Sequence, residues 1–156
     1  MNDNTIWTIE DEPRGETYKA LVREAASCCS TALLVVRDGI PGKGRIDETL
    51  SKLAPFFIRE SRETIWPGTE LMTGTARILR YTLSEKCAAV LSATVHGLYD
   101  WQQPLLPEDL CTLRDDGRPW LVTISHERDA YLCLSEQEGK VIPTRIAGLR
   151  VHAEAS

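Results

Sequence analysis

Asp109-Leu-Cys-Thr-Leu-Arg114, Asp115-Asp-Gly-Arg118 and Pro119-Trp-Leu-Val-Thr-Ile-Ser125 follow one another without a break. Two runs rich in leucine and β-branched residues flank an Asp-Gly pair, and the glycine accepts the positive φ that a tight hairpin turn demands. The stretch predicts an antiparallel hairpin. Toward the C-terminus, residues 125–129 read as a second turn and Ala130-Tyr-Leu-Cys-Leu134 as a third strand, so the hairpin opens into a meander. Gly139 reads as a further break, and one more strand is expected over 141–146 before a tail.

Upstream the apolar period changes from two to between three and four. Tyr18, Leu21, Val22, Ala25 and Cys29 recur at helical spacing with Lys19, Arg23 and Glu24 between them, which predicts an amphipathic helix over 16–29. Ala32-Leu-Leu-Val-Val36, stopped by Asp38-Gly39, predicts a buried strand, and the glycines and proline of 39–44 a loop. A second helical set runs through Ile46, Leu50, Leu53, Ala54, Phe57 and Ile58. Pro55 inside it forces a kink or an early stop, because proline has no N–H to donate and clashes with the preceding turn. Trp66-Pro-Gly-Thr69 reads as a link and 75–83 as a strand. Ser84 reads as the N-cap of a third helix that runs to about Tyr99. Together these elements predict an α+β domain, with helices packed on one face of a mainly antiparallel sheet that ends in a β-meander. The expected bounds are an acidic N-terminal segment 1–15, one domain over 16–147 and a C-terminal tail 148–156.

The chain has 156 residues, 42% of them hydrophobic and 26% charged, enough for one domain with a core and unlike a disordered chain. No apolar run approaches the roughly 18–20 residues that span a bilayer, and the first residues are acidic where a signal peptide is basic and then apolar. A cytoplasmic protein with no membrane partner is expected. Cys28, Cys29, Cys87, Cys111 and Cys133 are odd in number and lack the paired spacing of a zinc site. They are expected as reduced thiols, with Cys87, Cys111 and Cys133 buried. The net charge is −5, and residues 87–138 carry three arginines against nine acids although they hold much of the aromatic content. That balance disfavours nucleic acid, which calls for basic patches, and favours a basic partner.

Few groups match a catalytic pattern. Gly39 and Gly44 have P-loop spacing, but Arg45 and Ile46 stand where Lys and Ser or Thr would hold phosphate and Mg²⁺. His126-Glu127 opens like a zinc-peptidase helix, but position 130 is Ala where the second His belongs. What remains is His126 with Asp129 or Glu127 as an acid–base pair, and His96 with Asp100. Ser125 adjoins His126, but neighbours on a strand point to opposite faces and cannot pair as nucleophile and base. No cofactor and no metal are expected, and no complete catalytic constellation is visible.

Several stretches stand out together: Trp66-Pro-Gly-Thr69, Arg80-Tyr-Thr-Leu-Ser-Glu85, Leu98-Tyr-Asp-Trp101, Leu106-Pro-Glu-Asp-Leu110, Asp116-Gly-Arg-Pro-Trp-Leu121 and Ser125-His-Glu-Arg-Asp-Ala-Tyr131. Across about residues 17–137 the chain resembles a group of small bacterial proteins carrying these motifs. In size, acidity and α+β character it is similar to immunity proteins that neutralise secreted polymorphic toxins. The resemblance implies a protein partner rather than a set of catalytic residues. On that expectation, Asp100, Glu108, Asp115, Asp116, Trp120, His126 and Glu127 form an acidic, aromatic-bearing face that covers the basic active site of a cognate toxin, by a monomer or homodimer. Two other classes stand beside it: a small enzyme using His126 with a nearby carboxylate, and a self-associating regulatory module.

Overall fold

The Asp-Gly turn forms where the sequence places it. Gly117 adopts φ 86° and its N–H donates to the carbonyl of Arg114 at 2.8 Å, joining residues 108–113 to 119–124. The computed structural model describes residues 4–42 and 44–154; the other residues of the two expected terminal segments, and Lys43 of the glycine loop, lie outside the described residues. In chain order the elements are β1 (Thr5–Ile9), α1 (Glu16–Cys28), β2 (Thr31–Arg37), α2 (Ile46–Leu53), β3 (Phe57–Glu63), β4 (Ile65–Trp66), β5 (Thr69–Glu70), β6 (Ala76–Thr82), α3 (Glu85–Thr94), β7 (Glu108–Leu113), β8 (Pro119–Ile124), β9 (Asp129–Leu134), α4 (Glu136–Arg145) and β10 (Val151–Ala153). Eight strands form one antiparallel sheet in the order β10-β1-β9-β8-β7-β2-β6-β3, and β4 with β5 makes a separate small hairpin. The fold is α+β.

Alternation along β2 sorts its side chains to the two faces of this sheet. Ala32 and Leu34 enter a large core with Tyr18, Leu21, Val22 and Ala25 of α1 and Cys87, Ala88 and Leu91 of α3. Leu33 and Val35 enter a smaller core on the other face with Ile78, Cys111 and Val122, closed by Trp66 of the small hairpin. Within the large core the Trp101 indole N–H donates to the Tyr18 hydroxyl at 2.9 Å, and that hydroxyl donates to the Leu91 carbonyl at 2.8 Å. No helix among the described residues is long and apolar enough to cross a membrane.

Pro55 brings the early stop expected of it: α2 ends at Leu53 and a 3₁₀ turn covers 54–56, after which Phe57 and Ile58, read with the helical set, open strand β3. Other expectations change. The third helix begins at its Ser84 cap, whose Oγ accepts the Cys87 N–H at 3.1 Å, but it ends at Thr94 rather than near Tyr99. The strand expected over 141–146 is instead part of α4, which is started by a capping box. The Glu138 N–H donates to Ser135 Oγ and the Ser135 N–H to Glu138 Oε1, at 3.1 and 2.9 Å. Gly139 is a buried helical residue, not a break; a Cβ there would stand 2.1 Å from the indole of Trp7 on β1. Finally, the segments 1–15 and 148–156, expected to flank the domain, supply β1 and β10, which pair with each other while β1 also pairs with β9.

Cys87 and Cys111 are fully buried, and burial pushes their thiols up to about 11 and about 12. Cys29 is also buried, whereas Cys133, expected inside, is half-buried like Cys28. Because the thiolate is the reactive form, a bulky disulfide reagent applied to the native protein is expected to modify at most Cys28 and Cys133, the other three reacting only after denaturation. Native-state modification of Cys87 or Cys111 contradicts this packing.

Candidate functional site

β2 pairs with β7 through Leu33↔Cys111 and Val35↔Glu108, so β7 carries one residue more than its partner over this interval. Asp109 takes up the excess with φ 58°, in the left-handed region that Asp and Asn tolerate better than most residues. The resulting bulge leaves the Asp109 carboxylate fully buried. Its Oδ1 accepts the backbone N–H of Ser125 at 2.9 Å and its Oδ2 accepts the indole N–H of Trp66 at 3.1 Å. One side chain thus ties the sheet to the β4–β5 hairpin and to the 3₁₀ turn over Ser125–Glu127 that follows β8. The hairpin is held close by Gly68, at φ +85°, where a Cβ would stand 2.7 Å from Val122.

Glu108, one residue earlier, is only 5% exposed. Arg37 at the end of β2 brings Nε to 2.9 Å from its Oε2, although that N–H does not point along the contact, and the Arg37 guanidinium lies 5.5 Å from the Trp66 ring centre. Burial pushes both carboxyls above their ordinary range. The Asp109 charge adds to the rise at Glu108 while Arg37 opposes it, and at Asp109 the Ser125 and Trp66 hydrogen bonds oppose it.

His126 stands in the 3₁₀ turn with 42% of its side chain exposed. One ring nitrogen and one carboxylate oxygen from each of Glu108 and Asp109 all lie within 4.8 Å of one another. Beside them opens a recess of about 270 Å³, walled by Arg37, Thr69, Leu71, Ile124, His126 and Glu127. Two buried carboxylates, an imidazole in the wall of the recess and an arginine make an anionic centre next to it.

Of the residues expected on one partner-binding face, the structure brings Glu108 and His126 together, with Glu127 beside them, its Oε1 3.8 Å from His126 Nε2. The others are elsewhere. Asp115 and Asp116 sit in the turn at the far end of β7 and β8, about 20 Å away at the usual rise of a strand. Trp120 is fully buried: the register shift from Thr112↔Leu121 to Leu113↔Pro119 inserts it as an extra residue in β8, and it joins Leu121 in the large core. Asp100 accepts the N–H groups of His96 and Gly97 at 3.1 and 2.9 Å and pairs with Arg14, so it holds a loop in place. His126 meets Glu108 and Asp109, not the Asp129 pairing weighed from sequence. Asp109, Arg37 and Trp66 were not expected at a site. The one local signal was the pair of acids opening an otherwise apolar strand.

Comparison with known proteins finds no matching family model, no matching curated relative and no matching solved structure.

Proposed function

We propose that this protein is a small enzyme whose working centre is the recess at the joint end of β7 and β8, with His126 in its wall and the buried Glu108 and Asp109 beside that histidine. The supporting observation is the convergence, within 4.8 Å, of three polar side chains from a strand, a bulge and a 3₁₀ turn, two of them withdrawn from water. Holding two carboxylates side by side in a protein interior costs free energy, and such destabilised groups concentrate where a ligand or reaction uses them. A small polar substrate in the recess meets His126 and Glu127 together with the Arg37 cation.

A thermal-shift screen of polar metabolites tests the reading. A true ligand at about 100 times its Kd is expected to raise Tm by about 5–10 °C, since binding only the folded state contributes about 2.7 kcal/mol and a chain of this size shifts about 2–4 °C per kcal/mol. His126→Ala, at a half-exposed position, is expected to keep the parent Tm and lose the ligand's effect. Stabilisation that survives His126→Ala sinks the proposal.

A second reading, neutralisation of a basic toxin domain, draws on Asp115 and Asp116, which are exposed at the β7–β8 turn.

A further inference from the structure

We propose that Glu108, Asp109 and His126 together bind one divalent transition-metal cation, which makes the centre metal-assisted; this rests on the reading of the recess as a working site. The donor set comes first. Two carboxylate oxygens and one imidazole nitrogen suit ions such as Mn²⁺ or Zn²⁺, whereas Ca²⁺ and Mg²⁺ favour oxygen alone. Ligand atoms about 2.1 Å from a common ion stand at most about 4.2 Å apart, so donors already within 4.8 Å close on an ion by a small rotation of the half-exposed His126 ring.

Charge supplies an independent argument. Among the described residues Asp109 has no ion-pair partner: its two oxygens accept from neutral donors, the Ser125 N–H and the Trp66 indole N–H, and the nearby Arg37 pairs with Glu108. Two buried carboxylates therefore share one cation, and a buried charge without a counter-charge is costly. A divalent ion removes that imbalance. The two Asp109 hydrogen bonds also do what outer partners of metal-bound carboxylates do, holding each oxygen in a set direction. Ser125 Oγ, fully buried in the residue before His126, has no hydrogen-bond partner among the described residues, which adds one more unspent polar group at this place.

The 156-residue chain, stripped with a chelator and titrated calorimetrically with MnCl₂ and with ZnCl₂, tests this. Expected are one ion per chain, a rise in Tm on binding, and affinity weakened about tenfold or more by His126→Ala. Asp116→Asn, an exposed acid at the far end of the hairpin, is expected to bind like the parent. Absence of saturable binding for both ions overturns the inference, as does binding that His126→Ala leaves unchanged. If neither ion binds while His126→Ala still cancels stabilisation by a metabolite, the cation falls and the enzyme reading stands. If an ion binds here and every metabolite's effect survives His126→Ala, the cation stands and the enzyme reading falls.

Discussion

Asp109→Ala is expected to lower the unfolding free energy by about 4 kcal/mol, a fall of about 8–16 °C in Tm for a chain of this size. Removing the carboxylate leaves the Ser125 N–H and the Trp66 indole N–H buried without acceptors, at about 1–3 kcal/mol each. Alanine must also hold φ 58°, which costs a residue with a Cβ about 1–2 kcal/mol. Relief of a buried charge offsets part of this. Asp109→Asn tolerates the left-handed backbone and keeps one carbonyl acceptor for two donors, so it is expected to lose about half as much. Urea unfolding measures both, and amide exchange at Ser125 gives a local readout, since that N–H should lose protection in the alanine variant. An alanine variant as stable as the parent would mean that the cost of burying the carboxylate outweighs the bonds it makes.

Glu108→Lys is the second large effect, at about 3–5 kcal/mol or more. From the sequence, Glu108 beside Pro107 reads as a turn residue open to charge reversal together with Asp115 and Asp116. In the structure it is buried against Arg37, and lysine there removes that partner and sets two cations against each other. Asp115→Lys with Asp116→Lys is a different case. Both residues are exposed, and the Asp116–Arg118 pair lies on the surface, where ion pairs contribute little, so this double variant is expected to melt close to the parent. It is therefore the variant with which to test binding to a basic toxin domain: slower association at low salt, relieved at high salt, supports that partner, and unchanged rates count against it. Equal stability of Glu108→Lys and the parent would show that the Arg37 contact does not hold this corner.

How far each element could be read in advance depended on how local its cause is. The Asp-Gly turn, the Ser84 cap and the one-faced helix α1 are set by residues within a few positions, and all formed as the sequence predicts. α4 carried its own local signal, Ser135 followed three residues later by Glu138, but Gly139 read more strongly as a break and 141–146 as a strand. What requires glycine at 139 is the Trp7 ring, which leaves no room for a Cβ and comes from the opposite end of the chain when β1 enters the sheet. The β4–β5 hairpin read as a link because its strands are two residues long; it is seated by Trp66 bonding to Asp109, 43 residues away.

The sequence alone determined the fold class, the β7–β8 turn and the presence of an acid pair and a histidine in the same stretch of chain. Only the tertiary structure decided which acids meet that histidine. Periodicity, caps and turns act over one or two turns of chain, so they report which face a residue takes within its own element. Strand order and the extra residue in β7 act across the whole chain: they buried Glu108 and Trp120, left Asp115 and Asp116 in water, and turned Asp109 inward to join Trp66, Ser125 and, through Glu108, Arg37.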